Sequence, residues 1–158
     1  MMRTTTATAT TMMGRAMSTE LVETNSVEET MAFAERLAKT LRAGAIVELE
    51  GDLGTGKTHF VKGLAKGLGF DPDDVASPTF TLIDIHRPPA EGSLGLVHVD
   101  LYRIAHVAEL AELGLSEVPG EGAVAAIEWP ERLAERFPGA IRVTLVDLGG
   151  DRRRIEVT

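Results

Sequence analysis

Eight consecutive residues of this chain have the types and spacing of a phosphate-binding loop. They read Gly51-Asp52-Leu53-Gly54-Thr55-Gly56-Lys57-Thr58, which fits the pattern G-x-x-x-x-G-K-T. Glycine has no Cβ, so such a loop can turn tightly and bring backbone N–H groups close to an anion. The ammonium of Lys57 suits the β and γ phosphates of a nucleotide, and the hydroxyl of Thr58 suits Mg²⁺. Leu53 has no phosphate chemistry and is expected only to pack.

The segments on either side of this loop favour a nucleotide site over an ordinary glycine-rich turn. The apolar run 45–49 before it is typical of a short buried strand. After it, apolar residues at helical spacing over 60–68 predict a helix, and Gly69 stands where a helix commonly ends. Strand, glycine-rich loop and helix form the arrangement that the pattern requires.

Two further apolar runs each end in a carboxylate. Asp100 follows the run 96–99, and Glu128 follows the run 123–127. Because α/β sheets bind ligands at the carboxyl ends of their strands, both acids are candidates to complete a metal site beside the loop. One could hold Mg²⁺, directly or through water, and the other could orient or deprotonate an attacking water. The alternative is that each acid only caps the loop that follows it.

Other side chains near these segments each have two interpretations. Thr79 lies in a loop where its hydroxyl could sense a γ-phosphate, or could simply stabilise a turn. Trp129 follows Glu128 and is expected to anchor the core or to form a wall for a partner or substrate. His98 should share a strand face with Asp100, where the two could be hydrogen-bonded.

The run Arg152-Arg153-Arg154 is the only dense basic cluster. It could offer a cation to the nucleotide, although a solvated strand end is the favoured interpretation. The four histidines do not show the spacing of a metal site.

The composition is that of a single soluble domain that does not itself hold nucleic acid. The chain has 158 residues, of which 44% are hydrophobic, and it contains no cysteine. Its formal net charge of −8 disfavours direct, tight binding of RNA or DNA. No apolar run is long enough to span a bilayer, and the first residues lack the apolar core of a secretory signal. These absences predict a cytoplasmic location.

Two absences favour ATP over GTP. Asn25 is the only asparagine and precedes the loop, so a guanine-reading N-K-x-D pattern cannot follow it. There is no glutamine, which excludes the water-orienting Gln of GTPases.

Residues 103–120 contain only one arginine, Arg103, which argues against the arginine-rich lid of a small-molecule kinase.

The order of elements predicts an α/β fold. Residues 1–20 are predicted to be a disordered N-terminal extension, and residues 21–158 a single domain. The capping box that begins at Ser26 opens a helix, and shorter helices are expected over 104–113 and 130–137. The last two runs, 141–147 and 154–158, should form a hairpin around Gly149-Gly150.

Together these segments resemble the TsaE (YjeE) family of small bacterial ATPases, which act in making threonylcarbamoyl adenosine in tRNA. The resemblance covers residues 24 to about 158. It rests on GDLGTGKT (51–58), SPTFTL (77–82), HVDLYR (98–103), the Leu113-Gly114-Leu115 segment with Glu117, and IEWPER (127–132). The first pattern occurs in many proteins, whereas SPTF, D-L-Y-R and E-W-P in this order are specific. The chain departs from the family at His59, where a small residue is common.

The resemblance implies a P-loop NTPase-like α/β domain of three layers, with a largely parallel central sheet and a C-terminal antiparallel hairpin. It implies that ATP and Mg²⁺ bind at the loop, with Thr58 and Glu128 at the metal. Asp100 would be needed for hydrolysis, and Lys57 would neutralise charge that develops on the phosphate. The 77–82 loop would act as a switch. The implied nucleotide-binding residues are Gly51, Leu53, Gly54, Thr55, Gly56, Lys57, Thr58 and Thr79.

The resemblance also implies that the chain works with TsaD- and TsaB-like proteins. In that complex TsaD transfers the threonylcarbamoyl group, and the ATP cycle of TsaE supports turnover. Two other functions remain open from the residues. One is a small-molecule kinase, and the other is a docking module that binds ATP without hydrolysing it.

Overall fold

The apolar runs of the sequence form the strands of one mixed β-sheet. The computed structural model describes residues 3–12, 15–78, 81–106 and 108–158. The strands within these ranges are β1 (Arg3–Met12), β2 (Arg15–Thr24), β3 (Ile46–Glu50), β4 (Ile83–His86), β5 (Gly95–Asp100), β6 (Ala123–Glu128), β7 (Ile141–Gly149) and β8 (Arg152–Val157). The α-helices are α1 (Val27–Ala38), α2 (Lys57–Gly67) and α3 (Ala108–Ala111).

The order of the strands brings together the carboxyl ends of three strands, where the sequence predicts that a ligand binds. The order is β1-β2-β8-β7-β3-β6-β5-β4. The central strands β7, β3, β6 and β5 are parallel, and the pairs on both flanks are antiparallel. Since β3, β5 and β6 run in the same direction, their carboxyl ends lie together. The C-terminal hairpin of β7 and β8 is present, as predicted.

The sheet is the middle of three layers, because both faces of its central strands are buried. On β6, Val124 and Ala126 belong to the apolar cluster that packs beneath α1 and α2. The alternate residues Ala125 and Ile127 belong to a second cluster, on the opposite face, with Leu110 of α3. A continuous apolar run rather than an alternating one is what a strand covered on both faces requires. This confirms the prediction of an α/β fold of three layers, although the sheet is parallel only at its centre.

Helix α1 begins where the capping box predicts. The hydroxyl of Ser26 accepts a hydrogen bond from the N–H of Glu29 at 3.1 Å. In return, the carboxylate of Glu29 accepts one from the N–H of Asn25 at 2.7 Å. Each bond satisfies a backbone donor that the start of a helix would leave unpaired.

Helices α1 and α2 approach closely because α2 presents glycine at two positions one turn apart. A Cβ on Gly63 would lie 2.7 Å from the Cβ of Ala34, and closer still to the carbonyl oxygen of Met31. A Cβ on Gly67 would lie 2.5 Å from the carbonyl oxygen of Glu35. These distances leave no room for any side chain, so the glycines set the spacing that keeps the start of α2 at the sheet edge.

The structure differs from the sequence prediction in the N-terminal extension. Residues 1–20 were expected to be disordered, whereas residues 3–12 and 15–24 form strands β1 and β2. The backbone of β2 pairs with β8 over 20–24, which extends the sheet beyond the predicted hairpin. The β-branched threonines of this segment favour extended backbone, and the open edge of β8 supplies the partner.

Two predicted helices are much shorter than expected. Of the described residues in the segment 104–113, only 108–111 are helical. The carboxylate of Glu109 accepts hydrogen bonds from the N–H groups of Ala105 and His106, which lie outside that helix. Only a 3₁₀ turn, Pro130–Arg132, forms in the segment 130–137. No helix among the described ranges is long and apolar enough to cross a membrane.

Substitution of Gly63 by alanine should destabilise the protein. The better helix propensity of alanine is worth about 1 kcal/mol, but forcing a methyl group against the backbone of α1 costs about 2–3 kcal/mol, the upper part of the usual range. We expect a net loss of about 1–2 kcal/mol in the free energy of unfolding, measured by urea denaturation. Lys66→Ala, on the exposed side of the same helix, should change it by less than about 0.5 kcal/mol. Equal stability of the Gly63→Ala protein and the wild type would contradict the close packing.

Candidate functional site

The loop between β3 and α2 adopts backbone angles that require glycine. Gly54 has φ of 80° and Gly56 has φ of 97°, in the left-handed region. A Cβ on Gly51 would lie 2.6 Å from the hydroxyl of Thr55 and 2.8 Å from the carbonyl oxygen of Leu145. Gly56 is the N-cap of α2 and no side chain caps it. The positive end of the helix dipole therefore faces the loop, as an anion site requires.

The ammonium group of Lys57 folds back onto the loop that precedes it. It donates hydrogen bonds to the carbonyl oxygens of Gly51 and Asp52, the latter at 3.2 Å. It also lies 3.8 Å from the ring centroid of Trp129, in a cation–π contact. Burial lowers the pKa of Lys57, and the carboxylate of Glu128 is the largest of the influences that oppose this shift. The charge thus has partners within the protein.

Thr58, Glu128 and His98 form one chain of hydrogen bonds across the sheet edge. The hydroxyl of Thr58 donates to Oε1 of Glu128 at 3.3 Å. The other carboxylate oxygen of Glu128 lies 2.6 Å from Nε2 of His98. Glu128 is 3% exposed and His98 is fully buried. Thr58 and Glu128 are 70 positions apart in the chain, so the parallel pairing of β3 with β6 is what brings them together.

The prediction that His98 is hydrogen-bonded to Asp100 is wrong. The two residues do share a face of β5, on the side of α2, but β6 brings Glu128 to that same face. Among the described residues, none is a hydrogen-bond partner of His98 Nδ1. Because a carboxylate oxygen only accepts, the contact is a hydrogen bond in which Nε2 of His98 donates to Glu128.

Asp100 is oriented by two hydrogen bonds instead. Its Oδ2 accepts from the hydroxyl of Ser77 at 2.8 Å, and its Oδ1 accepts from the N–H of Tyr102 at 2.9 Å. The carboxylate is 6% exposed. A carboxylate has about four acceptor positions, so these two bonds leave capacity to accept from a water molecule. Ser77 was not singled out by the sequence, although it stands in the same S-P-T-F segment as Thr79, which lies outside the described residues.

These side chains surround one cleft at the edge of the sheet. Its volume is about 460 Å³. Trp129 forms part of the wall, with its ring centroid 4.9 Å from that of Tyr102. The residues that line it and carry the chemistry predicted from the sequence are Gly54, Gly56, Lys57, Thr58, Asp100 and Glu128.

Leu53 was expected only to pack, but it is 68% exposed. It is an exposed apolar residue that lines the cleft.

The three arginines near the C-terminus occupy different environments. Arg152 and Arg154 are exposed, whereas Arg153 reaches the loop and donates to the carbonyl oxygens of Gly54 and Thr55. The solvated strand end favoured by the sequence therefore describes Arg152 and Arg154 but not Arg153.

The donors at the cleft fit a hard cation shared with a phosphate ligand. Among the described residues, no group of three or more His, Asp or Glu side chains has the arrangement of a metal site. Thr58 and Glu128 offer a hydroxyl and a carboxylate within hydrogen-bond distance of each other. Mg²⁺ typically takes only one or two protein ligands of this kind and completes its shell with water and phosphate oxygens.

Comparison with known proteins identifies the family. A family model described as threonylcarbamoyl adenosine biosynthesis protein TsaE matches residues 24–155. The chain belongs to the TsaE family. It is 37% identical over 133 residues to the tRNA threonylcarbamoyladenosine biosynthesis protein TsaE of Treponema pallidum. The aligned region covers 84% of this chain and 95% of that protein. Members of the family take part in threonylcarbamoyladenosine biosynthesis in tRNA.

A sequence and a solved structure from Bacillus subtilis are also similar. The TsaE protein of strain 168 is 39% identical over 132 residues, which is 83% of this chain and 80% of that protein. The crystal structure of a protein named YdiB aligns with a TM-score of 0.67 and 31% identity, covering 99% of this chain and 86% of that one. The matched range of the TsaE family includes Lys57, Thr58, Asp100 and Glu128.

A double-mutant cycle should detect strong coupling between His98 and Glu128. Removing either partner leaves the other buried without its hydrogen bond, which costs about 1–3 kcal/mol, whereas removing both avoids that penalty. We expect His98→Leu and Glu128→Leu to show a coupling energy of about 1–3 kcal/mol in the free energy of unfolding, measured by urea denaturation. Effects that simply add, to within about 0.5 kcal/mol, would show that the pair is not formed.

Proposed function

We propose that this protein is the ATP-binding and ATP-hydrolysing subunit that supports the threonylcarbamoyl-transferase complex in tRNA modification. One observation carries the proposal. One cleft is lined by a phosphate-type loop with its lysine, by a hydroxyl and by two buried carboxylates. Three neighbouring parallel strands, β3, β6 and β5, bring these groups together. A binding site for one sugar or peptide would not need this combination of an anion-binding loop and metal-type oxygen donors.

ATP would bind with its phosphates at the start of α2. The backbone N–H groups of the loop and the helix dipole favour the negative charge. Lys57 would leave the carbonyl oxygens of Gly51 and Asp52 and the ring of Trp129, and would donate to phosphate oxygens instead. The exchange is electrostatically favourable, because a phosphate oxygen carries more negative charge than a carbonyl oxygen.

Thr58 and Glu128 would hold Mg²⁺, and His98 would fix the carboxylate that does so. Bound there, the metal ion would neutralise charge on the β and γ phosphates. Glu128 has one oxygen directed at Thr58 and the other at His98. His98 therefore acts through Glu128 as a positioning residue, in the way that second partners commonly orient metal-binding side chains.

Hydrolysis would use Asp100 to orient the attacking water and to accept its proton. The water oxygen attacks the γ-phosphorus, the bond to the bridging oxygen of ADP breaks, and ADP and phosphate leave. Ser77 and Tyr102 hold Asp100 in one orientation while leaving it able to accept another hydrogen bond. Lys57 and the N–H groups of the loop would stabilise the charge on the transferred phosphoryl group.

The expected partners are TsaD- and TsaB-like proteins. The net charge of −8 makes this chain an unsuitable direct ligand for tRNA. Its output would therefore be a change in a protein complex that holds the tRNA, rather than a phosphorylated small molecule.

Substitution of Lys57 by alanine should abolish ATP binding. The variant loses the only side-chain cation that the phosphate-loop pattern directs at the β and γ phosphates. Calorimetry with ATP and Mg²⁺ should show an affinity at least about 100-fold weaker than that of the wild type. Lys66→Ala, an exposed lysine of the same helix, should bind as the wild type does. Unchanged binding by Lys57→Ala would overturn the assignment of the site.

Substitution of Asp100 by asparagine should preserve ATP binding and abolish turnover. Asparagine has nearly the same shape but cannot accept the proton of a water molecule. Phosphate release, measured with the partner proteins present, should fall by about 100-fold or more, while the dissociation constant of ATP changes little. Asp84→Asn, on the neighbouring strand, should hydrolyse ATP at the wild-type rate.

The same assay separates the alternatives. Label from the γ-phosphate that appears in an organic product would indicate a kinase. Full support of tRNA modification by an Asp100→Asn protein that no longer hydrolyses ATP would indicate a docking module. Either result would contradict the proposed role.

A further inference from the structure

Arg153 of β8 reaches across to the phosphate loop and binds its backbone. Its Nε donates to the carbonyl oxygen of Thr55 at 2.7 Å, and its Nη2 lies 3.3 Å from the carbonyl oxygen of Gly54. Its side chain is only 13% exposed. The residue is 98 positions after Thr55, so this contact depends on the tertiary fold and not on local sequence.

The guanidinium group of Arg153 is also fixed from its other side. Its Nη1 lies 3.1 Å from Oδ1 of Asp147, and 2.8 Å from each of the carbonyl oxygens of Gly150 and Arg152. Oδ1 of Asp147 in turn accepts from the N–H of Gly149 at 2.8 Å. All three nitrogens of the guanidinium therefore have acceptors within the protein. The hairpin turn holds the group in place while it holds the loop.

The loop needs such a contact because glycines flank the residue that is held. Gly54 and Gly56 lie on either side of Thr55, and both have positive φ. Glycine imposes little conformational preference, so the peptide units next to Thr55 can rotate at low cost. A fixed carbonyl removes that freedom from the free protein before any ligand binds.

Holding the carbonyl of Thr55 also directs an N–H group. The C=O of Thr55 and the N–H of Gly56 belong to one planar trans peptide unit, in which they point in opposite directions. With the oxygen bound to Arg153, the N–H of Gly56 must point away from the guanidinium. Gly56 is the N-cap of α2 and lines the cleft.

We propose that Arg153 is a positioning residue that holds the carbonyl oxygens of Gly54 and Thr55, so that the amides of the phosphate loop are already arranged for a polyphosphate ligand. The role differs from that of a cation that binds phosphate directly, because each of the three guanidinium nitrogens already has an acceptor within the protein. It rests on the proposed binding of ATP at this loop.

The test compares three variants of the full chain. Arg153→Ala removes the guanidinium group. Arg153→Lys keeps the positive charge but not the planar geometry with its several N–H donors. Arg152→Ala changes the exposed neighbour on the same strand and serves as the matched control. Each protein is assayed at a temperature at which circular dichroism shows it to be fully folded. Two quantities are measured, the dissociation constant of ATP with Mg²⁺ and the amide resonance of Gly56 in the free protein.

Loss of the guanidinium group should weaken ATP binding by about tenfold or more in both Arg153 variants. The dissociation constant of ATP should not change in Arg152→Ala. The Gly56 amide resonance should shift, and its hydrogen exchange should accelerate, in Arg153→Lys without any ligand. A purely structural contribution would lower the thermal midpoint but would leave ATP affinity unchanged in the folded protein.

Wild-type affinity in Arg153→Lys would show that charge and not geometry matters, and would overturn the inference. An unperturbed Gly56 amide in Arg153→Lys would overturn it as well. If the wild-type protein does not bind ATP, the proposed function fails, and the amide measurement still decides whether Arg153 shapes the loop.

Discussion

The site depends on the parallel pairing of β3, β6 and β5, which ends three strands at the same edge. Asp100 and Glu128 are Cα partners in the register of β5 and β6, so the two acids lie side by side. Glu128 is also the partner of Leu49, two residues before the phosphate loop begins. No local segment could bring these groups together. The sheet register therefore controls the chemistry, and the helices serve to cover the strands and to point α2 at their ends.

The acidic and basic side chains at this edge are arranged so that each has a partner within the protein. Glu128 is shared between Thr58 and His98, Asp100 between Ser77 and Tyr102, and the ammonium of Lys57 contacts the loop itself. Buried charges without partners would cost several kcal/mol each. A ligand bound as proposed would therefore compete with these internal contacts, and part of its binding energy would be spent on rearranging Lys57.

Local patterns in the sequence were sufficient to predict the loop and the strands that end at the cleft, but not β1 and β2. The continuous apolar runs before Asp100 and Glu128 predicted buried strands, and the glycine spacing predicted the loop and the start of α2. What the sequence could not provide were contacts between distant segments. The bond from His98 to Glu128 and the contacts of Arg153 both depend on which strands are neighbours. The helix predicted over 130–137 does not form, and one reason is again a contact between distant segments. Arg136 binds Glu48, which is fully buried on β3. In addition, Phe137 precedes a proline, which disfavours helical backbone.

The alternation of side chains along β6 has a consequence for how this chain tolerates change. Glu128 shares its face of the sheet with Val124 and Ala126, whereas Ile127 points to the opposite apolar cluster. One residue inserted anywhere within β6 would reverse this parity, turning the carboxylate into the second core and an apolar side chain towards Thr58. Insertions in the loops around 87–93 leave the parity intact. Length variation in this chain should therefore be confined to loops, while the strands that end at the cleft keep their residue count.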